Sequence, residues 1–330
     1  MKKVMLILAI LIIALAIGFI ASSSNSNSSG NSGVEAPGSS GTPGELNQEQ
    51  STAAEGVDEL TITTVSSNLI IIPVETSEIR AVFSGKSGIS IPAGKAPSLE
   101  LEKAGNKVQI RLKYPGNTEV SFFSINFDSR LEIYLPDRSF AKITADTVSG
   151  NIECPRIAAR NLSMTTVSGG MNLGLIVAEN ARFSTNSGDL LFTRISAVTT
   201  NSSSISGRLR FDELLSDESS LTTTSGQIGI SQFKGKLGLK TVSGDADLTL
   251  TGGSVEISCE AVSGSLKLAF SNPAGFKADL SSMSGEITCG FELTDEKKDL
   301  KELTGSFGDG SGTVKMKTVS GNILLKNTKN

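Results

Sequence analysis

Nine serines of this chain, Ser149, Ser168, Ser187, Ser206, Ser225, Ser243, Ser263, Ser284 and Ser320, each stand immediately before a glycine. A serine hydroxyl attacks only when a neighbouring base takes its proton. The usual base near neutral pH is histidine, and the 330-residue chain has none. Nine serines in one context with no base beside them read as architecture.

The other residue types that could do chemistry are scattered. Asp189 and Asp245 share a place in the serine-glycine pattern, as do Asp146 and Glu260, but each pair lies three or more repeats apart. A glycoside-cleaving pair must flank one bond. The stretch GKS at 85–87 has Arg80 where a phosphate loop needs its first glycine. GDGSG at 308–312 offers one carboxylate, Asp309, too few for calcium, and reads as a hairpin turn. Cys154, Cys259 and Cys289 fall where other repeats carry Leu or Ile, so they read as small buried hydrophobes, although Cys259 and Cys289 lie in successive repeats and could approach. No catalytic set, metal site or cofactor is expected, and the chain is read as no enzyme. A net charge of −4 with scattered Lys and Arg argues against nucleic acid as a partner. With no Trp, sugar stacking has little to work with.

The pattern that holds the serines is a repeat. Its glycines are Gly150, Gly169, Gly188, Gly207, Gly226, Gly244, Gly264, Gly285 and Gly321, in steps of 19, 19, 19, 19, 18, 20, 21 and 36 residues. The last step is close to two periods, which suggests one further turn hidden before Gly321. Such a period means a solenoid. Aligned on the glycine, the residues two after it (Ile152 through Ile323) and four after it (Cys154 through Leu325) are apolar, as are those five before it (Ala145 through Met316) apart from Ser202. A third apolar column seven after it holds Ile157, Ile176, Ile195, Leu214 and Phe233. Strand alternation points all four columns inward, so the fold class expected is all-β, a single-stranded right-handed β-solenoid or β-helix with turns of about 19 residues. Stacked at strand spacing, the turns predict a rod of roughly 45 Å.

Extending the alternation backward puts the motif's serine and the threonine two residues before it on the inward side, at a pinched corner where hydroxyls can satisfy turn backbone. The glycine is expected there for its conformational freedom, with a positive φ at Gly207 as the test case. Two residues before each glycine, on the outward side, stand Val148, Val167, Asn186, Ile205, Thr224, Val242, Val262, Met283 and Val319. This mostly branched apolar ladder is the candidate contact edge, carried by Val148, Val167, Ile205, Val242, Val262, Met283 and Val319. The bland alternative is that such residues simply suit a strand.

Around the solenoid the chain divides further. MKK precedes an uncharged apolar run at 4–21, so residues 1–21 read as a transmembrane anchor, or as a signal peptide cleaved near the ALA at 14–16 or the ASS at 21–23. Residues 22–56, rich in Ser, Gly and Asn, read as a disordered linker. Residues 57–142 read as an N-terminal β cap, with 59–75 an irregular first turn whose Thr64, Ser66 and Ser67 echo the motif, and 98–114 a hairpin. Residues 143–330 form the repeat solenoid, interrupted near 294–303 by a charged excursion read as a short helix. The domain is expected outside the cytoplasm, membrane-anchored or secreted.

The lead LEIYLP, the repeated TVSG turns and the ending GDGSGTVKMKTVSGNILL together resemble the putative-adhesin domain of unknown function, a toast-rack-like β-solenoid. The resemblance covers about 57–330. It implies a β-solenoid at the cell surface or in the envelope and brings no catalytic residues. The function expected is a non-enzymatic, adhesin-like scaffold or interaction module, with an unknown surface protein or glycan as partner and the membrane reached through the N-terminal segment. An envelope-stress sensing domain contacting a membrane partner is the alternative, and an extracellular polysaccharide-acting enzyme a distant third.

Overall fold

The structure, a computed structural model, describes residues 45–87, 96–114, 127–250 and 256–328. The expected anchor at 1–21 and the linker up to residue 44 lie outside the described residues. Among the described residues no helix is long and apolar enough to cross a membrane. All regular elements are strands, and they join one continuous sheet.

The N-terminal part holds β1 (Glu45–Ala53), β2 (Glu59–Thr63), β3 (Asn68–Val74), β4 (Glu78–Ser87), β5 (Ser98–Ala104), β6 (Lys107–Lys113), β7 (Phe127–Pro136) and β8 (Ser139–Asp146). β1 corrects the expected linker, because it pairs antiparallel with β4 from Glu45↔Lys86 to Ala53↔Glu78. Its polar sequence carries too little apolar surface to announce a strand; what holds it is the open edge of β4, whose other edge pairs antiparallel with β7. β5 and β6 form the expected hairpin around Gly105, whose φ of 60° suits the first central position of a two-residue turn. β2 and β3 pair in parallel with β8 and β9 and so lay the first rung of the stack.

The regular stack is built from β9 (Ile152–Thr165), β10 (Met171–Thr185), β11 (Leu190–Ser204) and β12 (Leu209–Thr223), paired in parallel with an offset of 19 residues and no slip. The four predicted inward apolar columns are buried in these turns, and Phe192 and Phe211 stack ring on ring at 4.7 Å. An inward column seven residues before the glycine, from Ile143 through Leu162 to Val314, completes the core. In mid-stack this column turns polar at Thr200 and Ser219. Thr200 bonds Ser216 at 3.1 Å, while the buried hydroxyls of Ser219 and, in the column five before the glycine, Ser202 have no partner.

Next come β13 (Ile228–Ile230), β14 (Phe233–Ser243), β15 (Ala246–Leu250), β16 (Glu256–Ser263), β17 (Leu266–Phe270), β18 (Gly275–Ser284) and β19 (Ile287–Cys289). The 18-residue step has a local cause: Gly235, at φ 120°, spans what Ser216 and Asp217 span on β12, so the register shifts there. Side chains avoid that conformation.

The end of the chain departs from expectation twice. The segment at 294–303 is no helix: β20 (Thr294–Lys298) and β21 (Glu302–Gly308) form an antiparallel hairpin, and β21 pairs antiparallel with β18. The open edge of the last rung decides the matter, since a strand satisfies its backbone and a helix would not. Nor is there a hidden tenth turn. β22 (Gly312–Ser320) pairs in parallel with both β16 and β18, and β23 (Ile323–Asn327) with both β17 and β19. The last turn of the sequence is therefore inserted between the turns of Gly264 and Gly285. Phe270, Phe276, Phe291 and Phe307 pack face and edge to close this end.

Candidate contact edge

The edge is formed at the corner of each turn, and hydrogen bonds between rungs build that corner. Thr166 Oγ1 accepts the Gly169 N–H at 3.0 Å and donates to the Gly150 carbonyl, one turn back, at 3.3 Å. Thr185 does the same with Gly188 and Gly169, each at 3.0 Å. Ser204 and Thr223 accept the N–H of Gly207 and Gly226 at 2.7 and 2.9 Å. The threonine column thus lies inside and ties each corner to its neighbour.

The serine column does not lie inside. Ser149, Ser168, Ser187, Ser206 and their successors are all exposed, because the chain bends between threonine and glycine and the strand alternation does not carry through the bend. The reason for glycine also differs from the expected one. Gly207 has no positive φ, and among the nine only Gly264 and Gly321 have one, at 158° and 152°. The cause is the stacking itself. A Cβ on Gly207 would stand 1.7 Å from the Gly188 carbonyl oxygen, and the same clash, at 1.8 to 2.1 Å, recurs at Gly169, Gly188, Gly226, Gly244, Gly264, Gly285 and Gly321. At Gly150 the oxygen is that of Ser67, which serves as the first rung.

One residue beyond the glycine, a polar column closes the outer side of the corner. Asn68 Oδ1 accepts the Asn151 N–H, Asn151 the Gly170 N–H, Asp189 the Arg208 N–H and Asp245 the Ser265 N–H, all between 2.8 and 3.1 Å. Asp189 and Asp245, the carboxylates that share this column, are engaged in the backbone ladder.

Between the two hydrogen-bonded columns lies the apolar ladder. Val148, Val167, Ile205 and Val242 are half-buried, whereas Val262, Val319 and Met283 are 38%, 45% and 65% exposed. Since Ser320 pairs with both Ser263 and Ser284, these three occupy adjacent rungs and form one ridge. The Ser282 N–H donates to the Lys301 carbonyl at 2.9 Å, which brings the hairpin tip and its 95% exposed Leu300 to the same rim. The charges along the neighbouring column pair with one another, Lys240 with Glu260 at 3.3 Å and Lys317 with Asp279 at 3.6 Å. Such pairs add little stability but leave no strong field around the ridge.

Reactive groups are subdued. Burial pushes the thiols of Cys154 and Cys259 up to about 12, so both stay protonated and unreactive. Cys259 sits opposite Met316 and Cys289 opposite Leu325, in different columns, and all three cysteines are free. Burial raises the Asp146 carboxyl, against the opposing bond to Thr165. Among the described residues no group of His, Cys, Asp or Glu could hold a metal ion.

A second apolar area, absent from the sequence reading, lies on the far corner. Leu175, Val177 and Val198 are 42%, 47% and 48% exposed beside an open groove lined by Phe140, Ala159 and Ala178, with the Arg160–Glu179 pair at 3.5 Å on its rim. Columns six, eight and ten residues beyond the glycine would have held the signal, but they mix apolar and charged residues from turn to turn.

The family description "Toastrack DUF4097" matches residues 57–326, and the chain belongs to that family. No curated protein matches it. Among solved structures it is similar to a "putative adhesin" of Parabacteroides distasonis, at 9% identity over 69% of this chain and 91% of that one, with a TM-score of 0.44. A "putative adhesin" of Parabacteroides merdae is similar at 9% identity over 68% and 90%, TM-score 0.45. A "putative lipid binding protein" of Parabacteroides distasonis is similar at 13% identity over 84% and 96%, TM-score 0.42.

Proposed function

We propose that this member of the Toastrack DUF4097 family is a non-catalytic, adhesin-like module of the cell surface or envelope: a right-handed β-solenoid that binds a surface protein through the apolar ridge near its C-terminal end. The observation that carries the reading is the ridge itself, Val262–Val319–Met283, exposed on three successive rungs while the same column is half-buried in earlier turns. Solvent-facing positions elsewhere on the stack are mainly Ser, Thr, Asn and paired charges. A contiguous apolar strip among such residues costs solubility and suits a partner surface. A rod built on backbone ladders is stiff and holds that strip in place. In this reading residues 1–21 keep the protein at the membrane, residues 22–44 are the tether, and the solenoid is extracytoplasmic; cleavage after the apolar run would release it.

The test is capture from native envelope with residues 41–330, beside a version carrying Val262→Lys, Met283→Lys and Val319→Lys. A third version carries Val177→Lys and Val198→Lys on the far corner. A partner retained by the native and far-corner forms but lost by the ridge variant supports the reading. Retention by the ridge variant, with loss from the far-corner form, moves the binding site to the groove beside Phe140. If the captured partner is an integral membrane protein of the same cell, the module senses or regulates rather than adheres.

A further inference from the structure

The order of the rungs at the C-terminal end differs from their order in the chain. The turns of Gly264 and Gly285 are consecutive in sequence and 21 residues apart, and throughout the earlier stack consecutive turns lie directly on one another. Here β22 and β23 stand between them. This last turn fills a slot whose two walls are already made by the chain. Its bonds to those walls are backbone bonds: Gly264 N–H to the Ser320 carbonyl at 3.0 Å and Leu266 N–H to that of Asn322 at 2.9 Å on one side, Gly321 N–H to that of Ser284 at 3.1 Å and Ile323 N–H to that of Glu286 at 2.9 Å on the other. Its side chains Val314, Met316, Ile323 and Leu325 are fully buried in the core columns.

One short loop ties this rung to its own chain. Because β18 pairs with β21 on one edge and β22 on the other, residues 308–312 cross over the start of β18. Gly308 and Gly310 hold φ values of 60° and 64°, and the loop lies so close that a Cβ on Gly275 would stand 2.2 Å from Asp309 Oδ1. The hinge is thus a tight glycine crossing.

We propose that the segment 312–328 is exchanged between two copies of this chain, each solenoid being completed by the other copy's last turn. Every contact of the rung, backbone and core alike, is the same whether the strand comes from its own chain or a second copy, so only the hinge distinguishes the two forms. Exchange of a segment under those conditions is a low-cost route to a dimer, and the short loop at 308–312 is the hinge that would open. The occupant of the slot is a second copy because the slot's walls are matched to this segment residue by residue. Such a dimer would join two solenoids through the rungs of Gly264 and Gly285.

A disulfide placed between rung and slot reads the exchange without reference to location. Cys259 pairs with Met316 across adjacent strands, a separation of about 4.8 Å that a disulfide can bridge. Full-length chain in detergent, carrying Met316→Cys with Cys154→Ala and Cys289→Ala, is prepared once with ¹⁵N label and once without. The two are mixed, taken through mild urea, concentrated and oxidised with diamide, and the linked 259–316 peptide is weighed. The expected result is hybrid peptide, one half labelled, in a proportion that rises with protein concentration and at least doubles when Gly310→Val strains the closed hinge. Peptide linked only within chains at every concentration, hinge variant included, overturns the proposal. The solvent-facing pair Ser258→Cys with Lys315→Cys, in a chain without native cysteines, repeats the measurement on the same two rungs without touching the core.

Discussion

Replacing Gly207 by alanine tests the stacking account of the motif at its most confined rung. The new Cβ would stand 1.7 Å from the Gly188 carbonyl oxygen and 2.8 Å from Ser204 Oγ, where real Cβ contacts are no shorter than 3.0 Å, so the two turns must part by about 1.3 Å. Both opposing atoms belong to the corner and cannot swing away. Parting the turns weakens the Ser206 N–H bond to the Asn186 carbonyl, and crowding of Ser204 Oγ by the new Cβ weakens its bond from the Gly207 N–H within the turn, at about 1 kcal/mol each. Overpacking adds roughly 1–3 kcal/mol, for a total of about 3–5 kcal/mol. Gly229→Ala is the control: nothing lies within 4 Å of its Cβ and its φ is ordinary, so it should be neutral or stabilise by about 0.4–1 kcal/mol. Urea unfolding of residues 41–330, followed by far-ultraviolet circular dichroism, compares the two. If Gly207→Ala falls within about 1 kcal/mol of Gly229→Ala, the carbonyl contact is not what selects glycine.

Asp189→Ala should lose about 1 kcal/mol in the same assay because the Arg208 N–H loses its acceptor, while Asp189→Asn, which keeps Oδ1, should stay within about 0.5 kcal/mol; equal losses would remove the ladder from the account. Ser202→Ala deletes a buried hydroxyl without a partner and should raise stability by about 1 kcal/mol; a loss of that size would show the hydroxyl to be engaged. Burial raises the Asp146 carboxyl in the folded state, so between its unfolded and folded pKa the folded protein binds more protons and stability falls as pH rises through that window. Asp146→Asn should accordingly raise the urea midpoint at pH 7 and leave it unchanged at pH 3. A lower midpoint at pH 7 would contradict the sign.

What could be read from the sequence was whatever the repeat averages. Ile152 alone says little, but nine apolar residues in its column fix an inward face, and the structure buries every one. The bend was harder to read because alternation is a rule of straight strands: carried through the corner it put Ser149 and its equivalents inside, where they are exposed. The glycine was recognised but explained by its own backbone, since the true cause, the carbonyl of Gly188 beneath Gly207, belongs to a different turn. Stacking order was beyond reach for a related reason. Each rung presents nearly the same columns, so nothing in residues 312–328 says which neighbours they will take. The helix expected near 294–303 failed because its charged sequence suits either state and the free edge of β18 chose. On the contact edge, residue type located the ladder, but only the fold separates the half-buried Val148 from the 65% exposed Met283.

The inserted last turn also sets a limit on how the protein can be made. A solenoid can grow by adding each turn to the one before as the chain emerges, and from β8 to β17 the order of synthesis serves. Beyond β17 it does not, because the next rung in space, β22 and β23, is synthesised after β18 to β21. Residues 275–308 must either wait unstacked or settle directly on the turn of Gly264 and later part from it. Completion of the fold therefore waits for residues 312–327, and a chain stopped before residue 312 is left with a gap in the stack rather than merely a shorter one.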